Sequence, residues 1–124
     1  MSAIQTIEQF LEAYKNGQRA FTNLEFEHGE SFYGQDLSNI IFKKCWFCAD
    51  FTKTNLTNTK FIDCNIKTSV FKQANLTNVT ITGCAVDFAT FENAIIENFI
   101  FENNYCQGQV IEQKDFLEAF YTIQ

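Results

Sequence analysis

Ala49-Asp-Phe-Thr-Lys53, Thr54-Asn-Leu-Thr-Asn58, Thr59-Lys-Phe-Ile-Asp63, Cys64-Asn-Ile-Lys-Thr68, Ser69-Val-Phe-Lys-Gln73 and Ala74-Asn-Leu-Thr-Asn78 are consecutive five-residue units, each with an apolar residue at its centre. That position continues through Ile81, Val86, Phe91, Ile96 and Phe101, so the series from Phe51 is eleven long and unbroken. Two residues before each central residue stands a small or compact one: Ala49, Thr54, Thr59, Cys64, Ser69, Ala74, Val79, Cys84, Ala89 and Ala94, with Phe99 the bulky exception. The remaining positions are mostly Asn, Lys, Thr, Asp and Glu.

A period of five fits neither regular element. A helix rotates about 100° per residue, so a residue five on lies roughly 140° away and no single stripe forms. A strand alternates faces with period two, so odd steps swap sides. The conflict disappears if the chain turns a corner after every unit. Each unit is then one short side, its central residue points inward, and the small residue fills the corner. Units that cannot bury an apolar face alone must stack.

With Ala49-Asp50-Phe51, Thr54-Asn55-Leu56 and Ala74-Asn75-Leu76 as its closest units, the chain resembles the pentapeptide-repeat family. The resemblance implies an all-β solenoid, a right-handed quadrilateral parallel β-helix with four units and 20 residues per coil. It covers about Phe21 to Phe101 and is specific for fold, not for function.

A 20-residue coil can be tested within the sequence. Cys64 falls beneath Cys84, Asn58 beneath Asn78 and Asn98, and Asn55 beneath Asn75, while Lys67 meets Asp87 and Lys72 meets Glu92. Upstream, Leu37, Phe42 and Phe47 run one residue late. Phe26 to Phe32 is a step of six and Phe47 to Phe51 a step of four. These steps predict a bulged corner near His28–Ser31 and a tightened one near Cys48–Asp50. Cys45 then joins Cys64 and Cys84 in one column, and about four turns run from Phe21 to Phe101.

A solenoid must cover its terminal coils. Thr6-Ile-Glu-Gln9 reads as a capping box, Ile7, Phe10, Leu11 and Tyr14 form a helical stripe, and Gly17 ends it. Gly17-Gln-Arg19-Ala-Phe21 resembles the Gly-x-Arg-x-Phe stretch that follows a similar helix in the family. A second helical pattern at Glu112–Tyr121 groups Phe116, Leu117, Phe120 and Tyr121. The expected organisation is a single domain over 1–124, with a helical cap at 5–17, a β-helix over 21–106 and a helical cap at 110–122. Phe88, Ile95 and Ile100 are apolar at outward positions, so a contact near the C-terminal end is expected.

Composition narrows the function. The chain has 124 residues, fifteen Phe, no Pro, one His and a net charge of −6. An acidic surface argues against direct nucleic-acid binding or attachment to an anionic membrane. No apolar run reaches the roughly 18–20 residues of a membrane span, and Met1 to Phe10 lacks a signal-peptide pattern. Five cysteines among buried-type neighbours read as reduced thiols, hence a cytoplasmic protein. Asn55-Leu-Thr57, Asn75-Leu-Thr77 and Asn78-Val-Thr80 match the glycosylation pattern, which has no meaning without secretion.

Three constellations could carry chemistry. Cys45-Trp-Phe-Cys48 is a CxxC, but Cys45 belongs to an inward corner and no helix N-terminus follows to stabilise a thiolate. Ser31, His28 and Asp36 could be drawn as a triad, with nothing to fix its geometry. Lys43, Lys44, Lys53, Lys60, Lys67 and Lys72 make residues 43–72 basic, on different sides of the coil. Asp87, Glu92, Glu97 and Glu102 recur at one place in four units, giving a negative belt. No catalytic set, metal site or cofactor is expected. The reading is a non-catalytic structural or protein-interaction module, monomeric or weakly dimeric through its C-terminal end, with an unidentified protein partner. The alternative implied by the resemblance is a DNA-mimicking modulator of DNA gyrase, since some relatives are acidic rods of that kind. A small enzyme is the remaining class.

Overall fold

The computed structural model describes residues 4–121. Among the described residues α1 (Ile7–Lys15) is followed by nine short strands: β1 (Ala20–Thr22), β2 (Glu25–Phe26), β3 (Ile41–Lys43), β4 (Trp46–Phe47), β5 (Lys60–Ile62), β6 (Thr80–Thr82), β7 (Ile100–Glu102), β8 (Asn104–Cys106) and β9 (Gln109–Ile111). The closing helix is α2 (Gln113–Ala119). Strands β1, β3, β5, β6 and β7 form one parallel sheet in that order. Consecutive members are separated by a full circuit of chain, so the molecule is a coil, and it turns right-handed. Four turns separate Phe21 from Phe101, a rise of about 19 Å at ~4.8 Å per strand.

Each circuit has four sides and one inward residue per side. The first side carries Phe21, Phe42, Phe61, Ile81 and Phe101; the second Phe26, Phe47, Ile66 and Val86. The third carries Phe32, Phe51, Phe71 and Phe91, and the fourth Leu37, Leu56, Leu76 and Ile96. All are buried except Ile96, which is partly buried in the last coil. Rings stack between coils on the third side: Phe51 over Phe71 and Phe71 over Phe91 at 4.9 Å, with planes 6° and 4° apart. Neighbouring sides meet edge to face, as Phe42 does with Phe47 at 5.0 Å.

The corners explain the period. From Phe51 to Phe101, every residue two after an inward one has positive φ, from Lys53 at 58° to Asn103 at 55°. One left-handed residue per five turns the chain through about a right angle without a long loop. Asn tolerates that conformation better than most side chains, and Asn58, Asn78, Asn93, Asn98 and Asn103 occupy five of these places. Where Asp or Asn stands just before the inward residue, its side chain accepts from the amide two residues on, as Asn55 Oδ1 does from Thr57 N (3.1 Å) and Asn75 Oδ1 from Thr77 N (3.1 Å). The local Asn-Leu-Thr-Asn sequence is thus a side and its corner.

The irregular corners fall where the spacing places them. Phe21 pairs with Phe42 and Phe26 with Phe47, one residue more than a regular coil, whereas Phe42 pairs with Phe61, one fewer. In the long corner the left-handed residue is Gly29, three after Phe26. The short corner at Cys48–Asp50 has none. From Phe61 onward the offset is 20, as for Phe61 with Ile81.

Both ends are covered. Thr6 Oγ1 accepts from Gln9 N at 3.1 Å and Thr6 N donates to Gln9 Oε1 at 3.1 Å, completing the expected capping box. Phe10 is buried and meets Phe21 at 4.7 Å. Asn16 is the C-cap of α1, and Gly17 follows with φ 101°. Arg19 donates to the Tyr14 carbonyl at 2.7 Å and lies over the Tyr14 ring at 3.8 Å, placing a cation at the negative end of α1.

The C-terminal end differs from the sequence expectation in three respects. Before the helix, β8 and β9 form an antiparallel hairpin whose two-residue turn, Gln107-Gly108, has both φ positive (52° and 79°). Such a turn matches the strand twist and lets β9 form a sixth row. The helix itself is Gln113–Ala119, shorter than 110–122, and residue 122 lies outside the described residues. Phe116 is buried against Phe91, Phe99 and Phe101, but Leu117 is 59% exposed and leaves the group expected on that face. One residue after Phe116 is rotated by about 100°, so only one of the two can face the coil.

Candidate functional site

Side chains fill the interior from Phe10 to Phe116, and every buried side-chain nitrogen or oxygen among the described residues has a hydrogen-bond partner. The corner residues do more than fill space. Cys64 Sγ accepts from Cys45 N at 3.4 Å and donates to Phe42 O at 3.4 Å, bridging the open turn of the preceding coil. Cys84 repeats this on Cys64 N and Phe61 O, at 3.4 and 3.3 Å. Asn104 completes the column with its amide, accepting from Cys84 N at 2.9 Å and donating to Ile81 O at 3.0 Å. Thr59 bridges Ile40 N and Leu37 O, and Ser69 bridges Ala49 N and Phe47 O. In each case the side chain replaces a backbone hydrogen bond that the turn does not make.

This arrangement decides the CxxC. All five cysteines are free. The Cys45 thiol is pushed well above its ordinary range, first by its interaction with the Cys64 thiol and then by burial. Cys64 is pulled down by Cys45, but Cys84 and burial outweigh that and push it up to about 12. Both thiols stay protonated, as hydrogen-bond donors must, and neither is a nucleophile near neutral pH. Cys48 is partly exposed and pairs with Thr68 Oγ1 at 3.0 Å.

The hydrogen bonds found at Ser31, His28 and Asp36 go to separate partners. The His28 amide donates to Glu30 Oε1, Ser31 Oγ accepts from Tyr33 N, and Asp36 Oδ1 accepts from Ser38 N and Asn55 Nδ2. Among the described residues no three His, Cys, Asp or Glu side chains stand where they could hold a metal ion. No described helix is long and apolar enough to cross a membrane. A depression beside α1, lined by Glu8, Gln9, Glu12, Asn16 and Gln18 among others, opens broadly to solvent.

What distinguishes the surface is its outer sides. Asp87, Glu92, Glu97 and Glu102 fall one per side, as the belt reading requires. Lys72 Nζ reaches Glu92 Oε2 at 3.9 Å, while Lys67 forms no ion pair with Asp87. Asp87 Oδ2 instead accepts from Gln107 N at 2.9 Å. The second side carries the exposed aromatics Trp46 (44% exposed) and Tyr105 (47%) and, at its corner, Phe88 (71%), while Tyr33 (54%) is outward on the third. Phe88 also carries φ 62°, a conformation that is costly for a bulky side chain. The repeat pattern suggested an outward Phe88; the joint position of Trp46 and Tyr105 on one side emerges only once the 19-residue coil is in register.

The pentapeptide-repeat family model matches residues 49–84 in eight copies. In fold the chain is similar to a pentapeptide repeat protein from Nostoc Pcc 7120, at 20% identity and TM-score 0.55, covering 100% of both chains. A pentapeptide repeat protein from the Arabidopsis thaliana thylakoid lumen matches at 18% identity and TM-score 0.46, over 76% of this chain and 73% of that one. QnrB1, a plasmid-mediated fluoroquinolone resistance protein, matches at 18% identity and TM-score 0.41, over 70% and 57%. Among curated proteins no sequence matches.

Proposed function

We infer that this chain, a pentapeptide-repeat protein, is a non-catalytic module that acts by presenting a rigid outer surface to a protein partner. The observation that carries the reading is the division of its side chains. Groups that could do chemistry inside are already engaged in bridging corners, while Trp46, Tyr105 and Phe88 are left outside along the second side and its corner. Aromatic residues on a rigid surface bury much area at little entropic cost, which suits recognition. The free cysteines fit the cytoplasmic reading.

At the C-terminal end, α2 lays Phe116 and Phe120 over the last coil, and Ile95 and Leu117 remain exposed at its rim. That supports a cap with at most weak self-association. The gyrase-modulator alternative has less support. Four carboxylates on four different sides do not trace a phosphate line, and the six central lysines interrupt the negative surface. A supercoiling assay with gyrase tests it directly.

The main reading is tested by capture from native extract with the wild-type chain and with a Trp46→Ser, Phe88→Ser double variant. Proteins retained by the wild type and lost with the variant support it. An identical set from both contradicts it.

A further inference from the structure

The second side forms six rows. Its outward column runs Glu25, Trp46, Asn65, Ala85, Tyr105 and Val110, each paired with the next across the ladder. The rows are about 4.8 Å apart, and the midpoint of the column falls between Asn65 and Ala85. In the neighbouring outward column, Lys67 and Asp87 occupy the rows on either side of that midpoint. Beyond them, at the corner, lie Thr68 (φ 61°) and Phe88 (φ 62°).

Those two corner residues are unusual. Other non-glycine left-handed positions of the chain hold Asn, Asp, Gln or Lys. A β-branched and a bulky aromatic residue are the costly choices there, and they fall in adjacent coils of one corner. Strain of this kind persists where the side chain serves something else.

We propose that the second side binds a second copy of this chain face to face and antiparallel, about a two-fold axis through the midpoint of the column. The axis lies along the strand direction, so each outward column meets itself in reverse. Trp46 then faces Tyr105 of the second copy, and Lys67 faces Asp87 of the second copy, both twice by symmetry. Thr68 faces Phe88 of the second copy, and the small Ala85 faces Asn65. The register of greatest overlap is therefore also the register that pairs opposite charges and matches aromatic with aromatic. A parallel arrangement would set Glu25 against Glu27 of the second copy, and an antiparallel one centred on the third row would oppose Lys67 to itself. Among the described residues Lys67 makes no ion pair, which leaves it available. A face of six short rows is at the small end of stable interfaces, so the dimer dissociates on dilution. This deepens the interaction role proposed above and rests on it.

The test is sedimentation velocity of the full chain over a concentration series, with thermal melts by circular dichroism to confirm folding. The wild type shifts from monomer to dimer as concentration rises. Lys67→Asp and Asp87→Lys each weaken the dimer about tenfold or more, since each turns two facing pairs into like charges. An equimolar mixture of the two single variants regains wild-type association, because one chain then presents two acids and the other two lysines. The doubly reversed variant regains it as well, and Leu117→Asp at the C-terminal end leaves it unchanged. A wild type that stays monomeric at its highest soluble concentration overturns the proposal. So does a dimer indifferent to both charge reversals, or a mixture that fails to recover. If the dimer is absent while capture still depends on Trp46 and Phe88, this inference falls and the interaction role stands.

Discussion

Asn104 occupies the place above Cys84 that Cys84 occupies above Cys64, and it makes the same two hydrogen bonds with an amide in place of a thiol. The repeat pattern fades at this point, yet the corner chemistry continues for one more row. Asn104→Ala leaves the Cys84 amide buried without a partner and removes the side-chain donor to the Ile81 carbonyl, and is expected to cost about 1–3 kcal/mol in urea unfolding. Asn104→Cys keeps both bonds in weaker form and costs less than half as much. Equal losses for the two variants would make Asn104 a space-filler only.

Alkaline pH should destabilise the fold through the same column. Cys45 and Cys64 hold their protons in the folded chain well beyond the ordinary thiol value of 9.0. Once pH exceeds that value the unfolded chain loses protons that the folded chain retains, so stability falls as pH rises. The stabilising contribution is complete below about pH 8.5 and is lost progressively toward pH 12, at up to ~1.4 kcal/mol per pH unit for each thiol. Denaturant midpoints across pH 8–11 measure this, and Cys64→Ser should flatten the fall.

Inward and outward residues of one unit should differ widely. Phe71 is stacked between Phe51 and Phe91, and Phe71→Ala is expected to cost about 3–5 kcal/mol. Lys72, its neighbour, reaches Glu92 at 3.9 Å with its side chain 48% exposed, and Lys72→Ala should cost under ~0.5 kcal/mol. Comparable shifts in thermal melts would contradict the assignment of sides.

Relief of strain at Phe88 should be visible in the monomer. Phe88→Asn places at φ 62° a residue that tolerates it, and is expected to stabilise the isolated chain by about 0.5–1 kcal/mol. Chemical denaturation at high dilution is the measurement, and a loss of stability would show that the Phe88 ring packs usefully on its own coil.

Much of this architecture is legible in the sequence because one residue in five is forced inward and one in five must be left-handed. Phe51 through Phe101 reveal the first constraint and the Asn58, Asn78 and Asn98 column the second. Even the six- and four-residue steps around Phe26 and Phe47 announce their corners. What stays hidden depends on contacts between coils. Cys64 and Cys84 read as small packing residues, since nothing along the chain shows that the turn beneath them lacks its own hydrogen bond. Asn104 carries no apolar signal at all. The hairpin after it rests on Gln107-Gly108, a weaker turn marker than Asn-Gly, and Leu117 is misplaced because two adjacent apolar residues cannot both face the coil. Lys67 and Asp87 stack as expected, but Gln107 N takes the carboxylate.

The extra residue at Gly29 and the missing one at Cys48–Asp50 stack at one corner of successive coils, and each is absorbed where it occurs: Phe32, Leu37, Phe42 and Phe47 between them still face inward. A corner one residue longer or shorter therefore leaves the walls of the rod in order, as one odd link leaves the rest of a chain in step. Lengthening the rod by a full row still means adding a whole circuit. Inheritance can thus vary this chain's corners singly but its reach only in quanta of about twenty residues.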